Sequence, residues 1–249
     1  MRRRIRPRRF DFYLKWSVGN WAEEIVYSFC QTVLAQELNV FAYRYGYSAG
    51  RVPQSLAEFE EIQQERDRLE KYGKRPNFLL FCQHFAKRHH QELSQLMYKP
   101  DEEIENLVKK AVLALEVEQS IWSVKRAIVP LSFTVKEEDV SPLREWLQKF
   151  RIPIVVFQVF VDEIYISLLE EIVSKGKLRR DPTTGKPTYF LQVSPQMRLT
   201  DIGDVYFDAK VEFDEKGKLI PFVMLKGGTF TNINPKVIHE IATAFKKVQ

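Results

Sequence analysis

The sequence predicts a mixed α/β (α+β) fold, a central sheet covered by helices, with a β-rich C-terminal part. Three observations carry this. Strand-length apolar runs at 78–81, 111–115 and 152–157 alternate with stretches of helical periodicity. The longest apolar run, Ile152-Pro-Ile-Val-Val-Phe157, is too short for a membrane-spanning helix, which needs roughly 18 apolar residues. After Ser174-Lys-Gly176 the texture turns to β-type segments separated by turn residues.

The elements follow in order. Residues 11–46 open with aromatics and read as a helix punctuated by Gly19-Asn20, with Trp21, Ala22, Ile25, Val26, Phe29, Val33 and Leu34 at helical spacing. Residues 55–72 read as a second, charge-studded helix begun by Ser55, with Gly73 as its stop. Arg75-Pro76-Asn77 introduces Phe78-Leu-Leu-Phe81, a buried strand. A polar, partly helical stretch covers 82–110, and Ala111 to Leu115 forms a second buried strand that ends in Glu116-Val117-Glu118. Residues 120–129 read as a helix, 132–134 as a strand fragment and 137–150 as a helix with Leu143, Trp146, Leu147 and Phe150 inward. Ile152 to Phe160 is the most strand-like segment, and Ile164 to Val173 reads as a helix. Segments 186–193, 204–213 and 219–226 read as β, with turns at Pro182-Thr-Thr-Gly185 and Asp214-Glu-Lys-Gly217, before a last helix at 235–247. No Pro/Ser/Gly-rich linker divides the chain. The expected organisation is a basic arm, 1–10, and one domain, 11–249, with an α/β part at 11–174 and a β-rich part at 175–249.

Composition narrows the function classes. With 249 residues, 45% hydrophobic and 29% charged, the chain reads as a folded, soluble globule and not a collagen-like or disordered one. Only Cys30 and Cys82 occur, too few for a disulfide framework, and no apolar segment backs the basic N-terminus. A reducing cytoplasm is the expected location. The first ten residues hold six Arg and no acid, which exceeds the whole net charge of +5 and leaves the body close to −1. Such an arm suits phosphate contacts, because guanidinium groups fork onto phosphate oxygens and displace counterions. A solvated tail is the other reading.

The candidate chemistry lies on the two buried strands. Alternate strand residues share a face, so Glu116 and Glu118 point the same way. Paired carboxylates at the end of a buried run repel each other and resist desolvation. A divalent cation with hard oxygen ligands, such as Mg²⁺, compensates both effects, although a solvated pair is the plainer reading of Glu-x-Glu. Cys82-x-His84 and His89-His90 match no closed zinc spacing. Gly227-Gly228 lacks the context of a phosphate loop, and Asp162-Glu163 either adds charge near the site or is an acidic helix start.

Pro76-Asn77 followed by Glu116-x-Glu118 resembles the signature of the PD-(D/E)xK nucleases, with Glu24 in Gly19-Asn-Trp-Ala-Glu-Glu24 similar to that family's first-helix acid. More specifically, the chain resembles AccI-like type II restriction endonucleases. The supporting strings are WSVGNWAEEIV (16–26), RPNFLLF (75–81), ALEVEQSIWSVKRA (114–127), LSFTVKEED (131–139), IPIVVFQVFVDEIYIS (152–167) and EFDEKGKLIPFVMLKGG (212–228). The resemblance implies a restriction-endonuclease-like central mixed sheet, Mg²⁺ as cofactor, and site-specific hydrolysis of double-stranded DNA by in-line attack of water on phosphorus. It also implies a homodimer on a palindromic site. Carried over residue by residue, it makes Asn77, Glu116 and Glu118 the metal-site residues, with Glu24 a fourth catalytic group. Two departures matter. Asn77 stands where the pattern has Asp, removing a charge and suggesting an inactivated form. Glu118 stands where most of the superfamily has Lys, and Lys125 is a candidate for the missing cation.

Gln119, Ser120, Trp122, Lys125 and Arg126 follow the catalytic strand and are candidate DNA-binding residues. So are Arg179 and Arg180 in a basic cluster with Lys177, Lys186 and Arg198. The alternative reading is a sequence-specific DNA-binding protein that does not cleave, resting on Asn77 and the arm. A structure- or RNA-specific nuclease is a third.

Overall fold

The computed structural model describes residues 10–47, 56–213, 217 and 219–246. All but the last residue of the expected arm at 1–10, the expected helix start at Ser55 and most of the turn at 214–217 lie outside them. Helix α1 (Phe10–Phe29) runs through a π-helical turn, Cys30–Leu34, into the short α2 (Ala35–Leu38). Asn39, in the left-handed region at φ 53, ends this helix and turns the chain into strand β1 (Val40–Arg44). That strand is absent from the sequence reading. Its five residues lie within reach of the helical pattern, and only pairing with a later strand fixes them as extended.

Helix α3 (Leu56–Leu69) precedes β2 (Phe78–Cys82). The polar stretch folds as α4 (Gln83–Arg88), α5 (His90–Leu93) and α6 (Asp101–Val108), and leads into β3 (Leu113–Gln119). Strand β4 (Ser132–Lys136), α7 (Glu137–Phe150) and β5 (Ile154–Val159) follow. Two expectations fail here. Residues 120–129 form turns and bends, not a helix, and 164–168 belong to β6 (Glu163–Leu168), with helix only in α8 (Leu169–Lys175). The tight reversal at 160–162 pairs β6 antiparallel with β5, so Asp162-Glu163 sits at a hairpin end and not at a helix start. The remaining elements are β7 (Lys177–Arg180), β8 (Pro187–Gln192), β9 (Arg198–Gly203), β10 (Tyr206–Phe213), β11 (Leu219–Lys226), β12 (Thr229–Thr231) and α9 (Pro235–Lys246).

Seven strands form one mixed sheet in the order β1-β2-β3-β5-β6-β9-β12. The β3–β5 pairing is parallel and the other pairings are antiparallel. A smaller sheet, β4-β8-β7, and the β10-β11 hairpin stand beside it. The mixed sheet with helices on both faces is the α+β, restriction-endonuclease-like arrangement the sequence predicts. Strands β9 and β12 carry the C-terminal region into the same sheet as β1–β3.

The alternation of β3 sets the site. Leu113 and Leu115 point to one face and pack with Val26 and Phe29 of α1 and Ile238 of α9. Ala114 points to the other face, among Leu143 and Trp146 of α7 and Val156 of β5. Phe29, Phe78, Leu115 and Trp146 are fully buried, each contributing about 1.5–3 kcal/mol of apolar transfer. Glu116 and Glu118 follow Ala114 in register and so project from the α7 face.

Candidate active site

Asn77 lies one residue before β2, where the β2–β3 pairing extrapolates to Glu116. Its place is fixed by backbone and side chain alike. The Asn77 carbonyl accepts the Tyr45 and Gly46 N–H groups at 2.9 and 3.2 Å. Its side-chain Oδ1 accepts the Val117 N–H at 2.8 Å, and its Nδ2 donates to Glu23 Oε1 at 3.1 Å. The residue that departs from the acidic pattern is therefore a bridge between the first helix and β3.

Glu116 is 2% exposed. Its Oε1 accepts the Lys74 ammonium at 2.6 Å, while Oε2 is buried with no partner among the described residues. Burial pushes the Glu116 carboxyl up, and Lys74 pulls it back. Burial would lower the Lys74 pKa, but Glu116, Asp139 and Glu118 together hold it well above the ordinary lysine value. Asp139, from the first turn of α7, lies 3.4 Å from the same ammonium. Gly73 permits this approach. It adopts φ +103, and a β-carbon there would sit 2.1 Å from the Pro142 carbonyl oxygen of α7.

Burial raises Glu118 to about 7, against the opposing charges of Lys136 and Lys74 and with Glu116 and Asp139 adding to the rise. Glu23 is also raised to about 7, first by burial, with Arg44 opposing and Glu116 adding. Neighbouring carboxylates, two held near neutrality and one buried against an ammonium, mark a place built to hold positive charge.

The first-helix acid beside Asn77 is Glu23. Glu24 has a side chain 67% exposed and pairs with Arg44 at 2.6 Å. Helical geometry alone does not separate the two. At 100° per residue both lie about 130° from the buried face of Ala22, Ile25 and Phe29, on opposite flanks of α1, so packing separates them: one flank meets Asn77 and the other meets Arg44. Lys74 and Asp139 are also missed; the position of Lys74 just ahead of Arg75-Pro76-Asn77 was the available signal. Lys125 is not at the carboxylates. Its ammonium lies 3.6 Å from Asp201.

Arg75 underpins the loop that carries Lys74 and Asn77. Its guanidinium is buried, donates to Asp101 at 2.8 Å and to the carbonyls of Leu69 and Lys99 at 2.8 and 2.7 Å, and lies over the Tyr45 ring at 4.7 Å. Tyr45 donates to the same Asp101 at 2.7 Å and accepts Trp146 Nε1 at 3.0 Å. This network ties the loop to α6 and α7.

The expected DNA-binding residues fall in two places. Gln119 ends β3, while Ser120, Trp122, Lys125 and Arg126 lie in the loop beyond it, with Trp122, Lys125 and Arg126 exposed. Arg179 and Arg180 are on the exposed strand β7, Arg179 stacked over Phe190 at 4.3 Å and Arg180 donating to the Gly185 carbonyl at 3.1 Å. Arg198 pairs with Asp201 at 2.6 Å. The histidines do not converge: His84 bonds Arg88, His89 bonds Glu92, and His90 bonds Tyr43. Among the described residues no group of three or more His, Cys, Asp or Glu is gathered for a metal ion. No helix among them is long and apolar enough to cross a membrane.

No curated protein and no solved structure matches the chain. A family does: residues 8–129 match the AccI restriction endonuclease family. The matched span holds Glu23, Lys74, Asn77, Glu116 and Glu118, and ends before Asp139. Through this span, which carries the first helix, both site strands and all three residues of the motif, the chain is similar to the AccI restriction endonuclease family.

Proposed function

We propose that this protein is a type II restriction endonuclease that hydrolyses double-stranded DNA at a specific site with Mg²⁺, working as a homodimer on a palindromic sequence. The observation that carries the reading is the gathering of Glu116, Lys74 and Asp139, with Glu118 beside them, against Asn77. The donor set suits a hard cation. Mg²⁺ takes one or two carboxylates and keeps the rest of its shell as water or substrate oxygen. Glu116, whose buried Oε2 has no donor among the described residues, and Glu118 are the groups that would hold it, with Asn77 contributing an amide oxygen. Bound there, the ion would stabilise negative charge building on the phosphoryl oxygens.

The chain's own groups divide the remaining work. Glu118 would either share the ion or, beside it, accept a proton from the attacking water. Lys74 brings a permanent positive charge to the same face, the role Lys125 was expected to fill. Glu23 and Asn77 hold the first helix against β3 and keep the two strand ends in register. Gln119, Lys125, Arg126, Arg179 and Arg180 would meet phosphates or base edges.

Asn77 supports a second reading, a protein that binds its site without cutting it. A neutral amide contributes less to cation binding than the carboxylate of the family pattern. Digestion of a mapped plasmid by the native protein, Asn77→Asp and Glu116→Gln decides between them. Discrete Mg²⁺-dependent fragments from the native protein, lost in Glu116→Gln, support the enzyme. Discrete cutting by Asn77→Asp alone supports an inactivated enzyme. A gel shift with intact plasmid from both native protein and Asn77→Asp refutes cleavage and leaves the binder.

A further inference from the structure

The loop after β3 has a feature that cleavage chemistry leaves unused. Within nine residues, four large apolar side chains stand in solvent: Ile121, Trp122, Ile128 and Val129, at 54, 65, 99 and 63% exposure. The backbone from Ser120 to Lys125, beneath the first two, is pinned. Asp162 accepts the Ser123 hydroxyl and the Val124 and Lys125 N–H groups at 2.5, 2.8 and 3.1 Å. The Val161 N–H donates to the Trp122 carbonyl at 3.2 Å, and the Trp122 N–H donates to Ser120 Oγ at 3.3 Å. A loop free to relax would fold these side chains onto the protein. This one holds Ile121 and Trp122 outward, three and four residues after Glu118.

Charge identifies the occupant. Residues 120–130 contain Lys125 and Arg126 and no acid. Both cations are exposed, the Lys125 ammonium leaning toward Asp201 at 3.6 Å. An apolar tip with cations on its shoulder complements a molecule that is anionic outside and apolar within, which describes the phosphates and stacked bases of a duplex.

We propose that residues 121–129 form a wedge that enters double-stranded DNA beside the carboxylates, with Trp122 stacked on a base and Lys125 and Arg126 on the adjoining phosphates. The choice of DNA rests on the nuclease reading above. The wedge adds that the duplex is locally unstacked where it is bound. Indole suits this role, since it offers a large rigid face that stacks on any base.

The test uses the full chain with Ca²⁺ in place of Mg²⁺ to suppress cutting. Plasmid is relaxed by a topoisomerase at increasing protein concentration, and its linking number is read on a gel. Mapped-plasmid digestion with Mg²⁺ runs in parallel, and sedimentation reads the oligomeric state. The native protein is expected to shift the linking number in proportion to the amount bound. Trp122→Ala should abolish the shift and weaken duplex binding about tenfold, while Trp122→Phe retains most of both. Native protein that binds and cuts DNA with no change in linking number overturns the wedge and leaves the nuclease reading intact. Failure of the native protein to bind duplex overturns both. A Trp122→Ala protein that still shifts the linking number but falls from dimer to monomer overturns the wedge and makes the loop a seat for a second copy of the chain.

Discussion

Replacing Asn77 by Asp probes the site most directly, because the structure fixes what the new carboxylate meets. The Val117 N–H bond to Oδ1 survives, but the other oxygen replaces an amide that donates to Glu23 across 3.1 Å. Two full negative charges at that distance would repel by about 5 kcal/mol at an effective dielectric near 20. Protonation offers a cheaper route. Glu23 already titrates near 7, so keeping it neutral costs almost nothing at pH 6 and roughly 2 kcal/mol at pH 8.5, where about 1.4 kcal/mol accrues per pH unit. The smaller figure sets the penalty. Asn77→Asp should match the native protein in stability at pH 6 and lose about 2 kcal/mol at pH 8.5 without metal. For a domain of this size that is a fall of about 4–8 °C in Tm. Mg²⁺ should restore most of it, because a cation relieves the repulsion that protonation otherwise avoids. Thermal unfolding at both pH values, with EDTA or with Mg²⁺, reads the effect. An equal loss at pH 6 and pH 8.5, or a Mg²⁺ response no larger than that of the native protein, would refute the reasoning.

Three further outcomes follow from the same geometry. Lys74→Met removes the counter-charge of a carboxylate buried at 2% exposure and should destabilise the metal-free protein by about 3–5 kcal/mol in chemical denaturation. Glu24→Ala, which breaks a surface pair with Arg44, should cost less than 1 kcal/mol and leave cleavage or binding intact, whereas Glu23→Ala should impair it. Arg75→Leu strands Asp101 in the core and should destabilise by about 3–5 kcal/mol, read by urea unfolding.

The pH profile is the last expectation. Glu118 has a folded pKa near 7, above its ordinary 4.5, so the folded state binds its proton more tightly than the unfolded chain. The stability this provides is complete below about 4.5 and is lost as pH rises through 7. Metal-free native protein should therefore lose stability between pH 5 and 8, and Glu118→Gln should flatten that slope. If Glu118 acts as the base, Mg²⁺-dependent cleavage should rise with pH over a lower interval, because the bound cation pulls its carboxyl down.

Local chemistry in the sequence was sufficient for β2, β3, β5, α7 and α9, because their apolar patterns are long and bounded by Pro, Gly or charge. It also placed Glu116 and Glu118 on one face, since strand alternation needs no partner. It could not place β1 or β6, whose residues suit helix or strand alone and become strands only by pairing with β2 and β5. The 120–129 segment carries helical spacing, yet Asp162, almost forty residues on, captures its backbone N–H groups and holds it as a loop.

For the site, sequence by itself determined which residue types stand at 77, 116 and 118 and that the carboxylates share a face. Tertiary structure alone decided that Lys74 and Asp139 close around them, that Glu23 and not Glu24 reaches Asn77, and that Arg75 anchors the loop. The physical reason is range. Alternation and periodicity are properties of neighbouring residues, whereas the partner of a buried charge is whatever distant group the packing brings within about 4 Å, where pairing can offset the cost of desolvation.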